Sequence, residues 1–528
     1  MRRERNKVLR GFALSLALSA ALVVSGCGSG DDPAETPGSP GITFQFAGPP
    51  LSGLNPAATG GTTSAYAYAV PAYSTLLSQR VTGEIVGDLA TDWGYPDGDN
   101  LRFDITLRDD AAFADGTDID AAAVKKSLEY VRDGNFYLSS RFAAFESIEA
   151  TDEHALSITL SEPVANLPFV LTASGGAGFI IHPDAIDDPD SLENATAGSG
   201  PYVYSPEKSV IDTTYVYERN PEYYNPEAVK ADTLTVQVMN DSSTILAALQ
   251  TGQVDVTQGS AMTAASAEAA GFDVYQVGGS VHGIGLIDRA GEVVPALGDV
   301  RVRQAINLAL DREAITESML PGGYGVPTEQ ILAEGQPGHD PDLVGRYAHD
   351  VAAAQELLEE AGYGDGFEMT LICAETVGNC TAAEAVAGDL SNVGITVHLE
   401  TVAVSTAAFD EKVASGEYPA AMQRMRTVAS EFAPLLLEDL GGSANPFQSS
   451  DDEITRLWEE ATDAIDPDEQ EEAYRALSNR VVDQAWFAPL YVQSSIYYVS
   501  PEIEGFTVTN ENDLYSPVDV EGEFTWSK

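Results

Sequence analysis

Histidine is the side chain of this sequence with the broadest chemistry, because its ring binds metals and exchanges protons near neutral pH. No two of the six histidines lie at metal-ligand spacing, and the H-E-x-x-H, G-x-S-x-G and Walker-type motifs are absent. The sequence therefore predicts no metal site, no cofactor and no enzymatic activity. We interpret each histidine as a surface or hydrogen-bonded residue. The six are His154, His182, His282, His339, His349 and His398.

One segment does match a catalytic pattern. Ser205-Pro206-Glu207-Lys208 fits S-x-x-K, in which a lysine one helical turn after a serine activates that serine. Here the segment lies between two strand-like stretches, and the companion motifs K-T-G and S-D-N are absent. We therefore expect a structural role at this position rather than a nucleophile.

Cys27 indicates a different kind of chemistry. A basic stretch at the N-terminus is followed by an apolar run at 11–24 and then by small residues up to Cys27. This order is typical of a secretory signal, and the final cysteine makes it similar to a lipoprotein signal. We expect a signal peptide over residues 1–26 and diacylglycerol on the Cys27 sulfur. The alternative, a membrane-spanning helix, needs about 20 apolar residues, which is more than this run has.

Two further cysteines, Cys373 and Cys380, lie in the segment CAETVGNC. An exported chain meets an oxidising environment, so a pair this close in sequence favours a disulfide. The alternative is a pair of buried thiols, and the sequence leaves both open.

The charge of the chain excludes one class of partner. The first 26 residues hold five of the 27 basic and one of the 82 acidic residues, so the remaining 502 residues have a net charge of −59. Such a field repels nucleic acid and anionic headgroups, and we expect no nucleic-acid partner. Residues 27–41 are rich in glycine, serine, proline and acid, a composition typical of a flexible tether.

The body of the chain alternates segments of strand and helix periodicity. LRFDITL at 101–107 alternates apolar and polar residues, and TDIDAAAVKKSLEYV at 117–131 begins with a capping residue and has helical spacing. The pattern predicts a mixed α/β fold, and the length predicts two or more domains. Further strands are predicted at 155–160, 213–220, 233–239, 367–373, 395–402 and 487–499, and further helices at 242–252, 300–320, 350–362, 381–394 and 466–485.

Several motifs follow one another along this body. The longest is GEIVGDLATDWGYPDGDNLRFDITLRDDAAFADGTDIDAAAVKKSLEYV at 83–131. The later ones are GSGPYVY at 198–204, RNPEYYN at 219–225, ALQTGQVDV at 248–256, DVRVRQAINLALDREAI at 299–315 and AAQELLEEAGYGDGFEMTL at 353–371. In this order and spacing they resemble the extracellular solute-binding protein family 5, the oligopeptide, dipeptide and nickel receptors of ABC importers.

The resemblance implies a two-lobed periplasmic-binding-protein-like α/β fold, of type II and of the large three-subdomain peptide-receptor class, with hinge strands between the lobes. By this resemblance, lobe I comprises 42–80, 190–282 and 486–528, an extra subdomain comprises 81–189, lobe II comprises 283–485, and the hinges lie near Gly279–Ile287 and Trp486–Leu490.

The resemblance also implies where a ligand would bind. Peptide receptors of this family hold the amino terminus of the peptide with an aspartate that follows a tryptophan-containing loop of lobe II. The corresponding stretch, YPAAMQRMRTVASEFAPLL at 418–436, has neither residue. Met425 takes roughly the tryptophan position, Arg424 and Arg426 replace a neutral wall, and Glu431 is the nearby acid.

This departure leads to a set of candidate ligand-binding residues. Two arginines suit a carboxylate or another anion, so Arg424, Met425, Arg426 and Glu431 are candidates. The alternative is that both arginines pair with surface acids. Tyr66 and Tyr68 are further candidates for lining the cleft, and core packing is an equal alternative for both.

The function implied is that of a substrate-binding lipoprotein of an ABC importer. We expect a monomer on the outer face of the cell membrane, or in a periplasm, that delivers a peptide or other small solute to membrane permease subunits. Two alternatives stay open: a receptor that signals its ligand state to a membrane partner, and an importer subunit that binds nickel or a metal chelate.

Overall fold

Alternating apolar residues form the strands of this protein, as the buried Phe103, Ile105 and Leu107 of one strand illustrate. The computed structural model describes residues 41–58, 63–80, 83–375, 379–402, 406–426, 444–507, 516–520 and 525–528. The strands in these ranges are β1 (Ile42–Phe46), β2 (Leu51–Leu54), β3 (Leu77–Gln79), β4 (Ile85–Gly87), β5 (Ala90–Gly94), β6 (Arg102–Leu107), β7 (Phe145–Asp152), β8 (Ala155–Leu160), β9 (Tyr202–Tyr204), β10 (Thr214–Arg219), β11 (Thr233–Val238), β12 (Val256–Gln258), β13 (Asp273–Leu286), β14 (Gly325–Pro327), β15 (Phe367–Ala374), β16 (Ile395–Val402), β17 (Ala420–Arg426) and β18 (Phe487–Val499).

Aspartate begins most of the longer helices. The α-helices of the described ranges are α1 (Thr63–Ala69), α2 (Ala121–Asp133), α3 (Leu167–Val170), α4 (Pro183–Asp187), α5 (Ser242–Gln250), α6 (Ala261–Ala269), α7 (Val300–Ala309), α8 (Arg312–Met319), α9 (Val351–Glu360), α10 (Asn379–Ser391), α11 (Thr406–Ala414), α12 (Asp452–Asp463) and α13 (Pro467–Asp483). Aspartate side chains that accept backbone N–H groups at an N-cap are Asp120, Asp241, Asp299, Asp311, Asp350, Asp451 and Asp466. A carboxylate there also interacts favourably with the helix dipole, so part of the acid excess stabilises helices.

One large mixed sheet connects most of the strands. Its order in the described chain is β16-β15-β17-β13-β18-β12-β1-β11-β10-β9, and β14 pairs with β18. β15 is parallel to both β16 and β17, whereas β13 is antiparallel to β17 and β18. A separate antiparallel sheet has the order β5-β6-β8-β7. The fold is therefore mixed α/β, as the sequence predicts.

The long strands β13 and β18 pass from one hydrophobic core to another. In β13, Tyr275 and Val277 pack against a core built mainly from residues 42–256, whereas Ile284 and Leu286 belong to a second core built mainly from residues 284–422. β18 makes the same passage in the opposite direction, because Tyr497 and Val499 lie in the first core and Ala488 and Leu490 in the second.

The β13–β18 ladder is irregular where it leaves the first core. The register shifts between Val277 and Ser280, which face Ser495 and Gln493. Gly278 and Gly279 lie in this step with φ values of 53° and 157°. Glycine adopts such positive φ values without the steric cost that other residues incur.

The helix predicted over 300–320 is wrong in one respect, since the structure divides it into α7 and α8. Leu310 is extended, with ψ 122°, and Asp311 caps α8 by accepting the N–H of Ala314 at 3.0 Å. Arg312 is only 5% exposed and donates to the backbone oxygen of Asn307 at 2.9 Å. This hydrogen bond brings the first residue of α8 back against α7, which a continuous straight helix would not allow.

The helix predicted from residue 117 begins later, at Ala121. The Asp115 carboxylate accepts the N–H of Thr117 at 2.9 Å in a turn, and Asp120 is the N-cap. The other predicted strands and helices are confirmed, with ends displaced by up to three residues. Within the described ranges, no helix has the length and apolar character needed to cross a membrane.

Candidate functional site

Three neighbouring strands bring His282, Arg424 and Tyr491 into one row. His282 of β13 lies opposite Arg424 of β17 on one side and opposite Tyr491 of β18 on the other. Directly opposed residues project to the same face of a sheet. Arg424 lies near the carboxyl end of β17, which is parallel to β15, and parallel α/β sheets bind ligands beyond the carboxyl ends of their strands.

Arg424 is exposed and has no hydrogen-bond or ion-pair partner among the residues that the structure describes. Arginines of comparable exposure elsewhere pair with acids, as Arg102 does with Asp104 at 3.4 Å and Arg346 with Asp483 at 2.5 Å. An unpaired guanidinium is therefore unusual in so acidic a chain, and it is available to an anion. The alternative expectation, that Arg424 pairs with a surface acid, does not hold among the residues that the structure describes.

His282 is the residue of this row that the sequence did not single out. It is 4% exposed, and its ring stacks on that of Tyr491 with centroids 5.4 Å apart. Burial, and then the charge of Arg424, lower the pKa of His282 to about 4, whereas a side-chain hydrogen bond with Asn379 acts in the opposite direction. Of the two interpretations offered for the histidines, the hydrogen-bonded residue rather than the surface residue describes His282.

A disulfide closes the connection beside this row. Cys373, near the end of β15, and Cys380, near the start of α10, are joined with an S–S distance of 2.06 Å. Asn379 immediately precedes Cys380 and makes a side-chain hydrogen bond with His282. The disulfide therefore fixes the segment that holds Asn379 next to the row.

Removing this disulfide should lower the free energy of unfolding by about 2.5 kcal/mol, because the closed loop restricts the unfolded chain. The test is thermal or denaturant unfolding of a Cys373→Ala/Cys380→Ala variant beside the unchanged protein. A reductant should destabilise the unchanged protein and leave the double variant unaffected. Equal stability of the two proteins under oxidising conditions would contradict the expectation.

Met425 does not share the surroundings of its neighbour Arg424. It is 2% exposed and packs with Val281, Leu477 and Phe487 in a third hydrophobic core. Strand alternation explains the difference, because adjacent residues of β17 project to opposite faces. The expectation that Met425 lines a ligand cleft is corrected here, since its side chain is a core residue.

Tyr66 and Tyr68 also lie in a core rather than at an open surface. The Tyr68 hydroxyl donates to the backbone oxygen of Gly48 at 2.6 Å, and its ring makes an edge contact with Tyr215. Burial raises the pKa of Tyr66 to about 12. Of the two interpretations that the sequence left open, core packing describes both tyrosines. Their assignment to the ligand site is corrected accordingly.

The other residues singled out from the sequence have simple surroundings or lie outside the described residues. The Lys208 side chain pairs with Glu218 at 2.6 Å, and its backbone N–H donates to the backbone oxygen of Ser205. The S-x-x-K segment therefore lies in a turn and not in a helix. No group of three or more possible metal ligands occurs in the part of the chain that the structure describes. Cys27, Glu431 and the side chain of Arg426 lie outside the described residues.

Comparison with known proteins identifies the family of this chain. Residues 84–445 match the model of the bacterial extracellular solute-binding proteins, family 5. The chain belongs to this family. The expectation from the sequence motifs is thus confirmed, and the family comprises solute-binding proteins rather than enzymes.

Among its relatives is a probable D,D-dipeptide-binding periplasmic protein of Escherichia coli, which is 25% identical over 458 residues, or 83% of this chain and 86% of the relative. Among solved structures, the protein AgaA of A. tumefaciens R10 in complex with agropinic acid has a TM-score of 0.74 at 23% identity, covering 92% of this chain and 98% of that one. DppA of Helicobacter pylori in complex with the peptide STSA has a TM-score of 0.73 at 21% identity, with the same coverage.

These likenesses establish the fold. The chain has the two-lobed periplasmic-binding-protein architecture of the peptide-receptor class, with a large mixed sheet. The fold class expected from the sequence is confirmed. As an extracellular solute-binding family member, the protein works outside the cytoplasm.

Proposed function

We propose that this protein is the receptor of an ABC importer and captures a small solute that carries an anionic group. The observation that carries the proposal is the exposed, unpaired guanidinium of Arg424 among the described residues, near the carboxyl end of β17. An arginine without a protein partner is typical of a binding site in which the ligand provides the opposite charge. Membership of a solute-binding family supports the receptor role and argues against catalysis.

The ligand class we favour is a carboxylic acid, either a peptide or a small organic acid. Solved relatives are described as complexes with agropinic acid, with mannopinic acid and with the dipeptide Met-Leu. All of these molecules carry a carboxylate. This shared chemistry supports an arginine contact without fixing the rest of the ligand.

We propose that the ligand is enclosed by hinge closure of two lobes. Lobe I would comprise 42–80, 190–282 and 486–528, the extra subdomain 81–189 and lobe II 283–485. The passage of β13 and β18 between separate cores supports this division. The register shift beside Gly278 and Gly279 supports a hinge at the start of the expected segment Gly279–Ile287, and we place the second hinge near Trp486–Leu490, as the resemblance implies.

Membrane attachment belongs to the same proposal. The signal-like residues before Cys27 support a lipid anchor on its sulfur, and the tether-like composition of 27–41 supports a body that reaches its permease as a monomer. A lipid anchor would place the receptor on the outer face of the membrane, where the permease opens.

The proposal is tested in two steps. Thermal stability of the purified protein is measured with succinate, gluconate and dipeptides, each beside its amide or neutral analogue. We expect the acids to raise the melting temperature and the neutral analogues to leave it unchanged. Uptake of the stabilising acid should then be lost in a strain that lacks this protein. Stabilisation by no member of the panel, or by the neutral analogues equally, would contradict the proposal.

A further inference from the structure

A cavity of about 370 Å³ lies beside the first core, and none of its described lining residues belongs to the row around Arg424. Pro50 lines it from the segment after β1, and Asp212 lines it from the turn before β10. The next residue of this turn, Thr213, accepts the N–H of Val238, the last residue of β11, at 2.9 Å. Because β1 and β11 are parallel, the cavity lies beyond their carboxyl ends, where α/β sheets bind ligands.

Two buried tyrosines form part of the cavity wall. Tyr204 of β9 is 5% exposed, Tyr215 of β10 is 3% exposed, and their ring centroids are 6.1 Å apart. The Tyr215 hydroxyl accepts the backbone N–H of Asp212 at 3.1 Å. The Tyr204 hydroxyl makes no hydrogen bond with any described residue. Buried polar groups are nearly always paired, so this hydroxyl on a cavity wall indicates a polar group of a ligand.

The rim of the cavity is acidic. Glu193, Asn194 and Asp212 are exposed, and their side chains have no hydrogen-bond or ion-pair partner in the described chain. The described lining residues include no lysine, arginine or histidine. Acids are common throughout this chain, so the rim alone decides nothing. In combination with two tyrosine rings, whose faces attract cations, it indicates a positively charged ligand.

The arrangement is held in place by contacts outside the cavity. The Tyr68 ring makes an edge contact with Tyr215, with centroids 4.8 Å apart. Gly53 lies directly against the backbone of Glu193, since a Cβ added to this glycine would lie 2.7 Å from the Cα of Glu193. The wall and the rim are therefore formed before any ligand binds, which lowers the cost of binding.

We propose that this cavity is a second binding site, which takes the primary ammonium group of a small organic cation. An ammonium group has three N–H donors, which match the two carboxylates of the rim and the Tyr204 hydroxyl as acceptors. The tyrosine faces and the aliphatic Leu54 and Ile211 then surround the carbon chain of the ligand. This site goes beyond the proposed function and does not rest on it, because it contains neither Arg424 nor any other described cation.

The test is titration calorimetry of the purified protein with butylammonium chloride, in about 0.15 M sodium chloride so that exposed acids are screened. The comparison ligands are butanol, which lacks the charge, and tetramethylammonium, which lacks N–H donors. We expect one butylammonium ion to bind per protein molecule, butanol not to bind, and tetramethylammonium to bind at least about 10-fold more weakly. Equally tight binding of either comparison ligand would overturn the assignment of a primary ammonium site.

Variants locate the binding. Glu193→Gln/Asp212→Asn should weaken butylammonium binding by about 10- to 100-fold, and asparagine tolerates the φ of 63° at position 212. The control, Glu356→Gln/Glu359→Gln, removes two exposed acids from α9 and should leave affinity unchanged. Tyr204→Phe keeps the ring and should weaken binding by about 3- to 10-fold.

Equal affinity of the site variant and the control variant would show that butylammonium binds elsewhere, and the inference would be wrong. Absence of binding to the unchanged protein would also overturn it. Neither result would affect the proposed function, which is tested with acids.

Discussion

Replacing Arg424 by glutamine should weaken binding of an anionic solute by at least about 100-fold, because two charge-assisted hydrogen bonds are lost at once. The free energy of unfolding should change by no more than about 0.5 kcal/mol. The side chain is exposed and has no partner in the described chain, so the fold does not depend on it. The measurement is titration calorimetry of the acid that stabilises the protein most strongly.

The matched control for this substitution is Arg456→Gln. Arg456 is also exposed, but it pairs with Glu453 and Glu460 on α12 and should not contact the ligand. Its replacement should leave affinity unchanged. Arg424→Lys keeps the charge without the planar pair of donors, so it should recover part of the affinity. Equal affinity of the unchanged protein and Arg424→Gln would refute the role assigned to Arg424.

Arg312→Met should lower the free energy of unfolding by about 3–5 kcal/mol, the largest effect on stability that we expect from a single substitution. The guanidinium is buried and donates to the backbone oxygens of Pro489 at 2.7 Å, Asn307 at 2.9 Å and Tyr347 at 3.0 Å. Methionine fills a similar volume but leaves these oxygens without donors. Pro489 belongs to β18, so the loss should also loosen the strand that carries Tyr491.

Arg301→Met provides the comparison, because it makes the same change in the neighbouring helix. The Arg301 side chain is 43% exposed and pairs with Asp299 at 2.6 Å, and its removal should leave the free energy of unfolding nearly unchanged. Denaturant unfolding followed by circular dichroism measures both variants. Equal destabilisation of the two would show that the buried hydrogen bonds of Arg312 do not account for its effect.

Much of the fold is predictable from the sequence because its signals are local. The alternation in LRFDITL and ITVHLETV gives strands at β6 and β16, and helical spacing gives α9 and α13. The break between α7 and α8 is harder to predict, because it depends on the contact between Arg312 and Asn307 and not on any helix-breaking residue. The helix pattern itself continues without interruption through this point.

The candidate site is only partly predictable. Arg424 stands out because it departs from a family motif, but Met425, Tyr66 and Tyr68 cannot be separated from core residues by their type alone. His282 has no sequence signal, since its burial depends on β17 and β18, which lie far from it along the chain. Only the pairing of these strands places the ring between Tyr491 and Arg424.

The most direct test of the central claim is native mass spectrometry of the protein purified under gentle conditions, beside its Arg424→Gln and Arg456→Gln variants. If the protein captures an anionic solute through Arg424, the unchanged protein and Arg456→Gln should carry a discrete adduct with the mass of a small acid. Arg424→Gln should lack this adduct. A neutral adduct, or the same adduct at equal occupancy in all three proteins, would contradict the account.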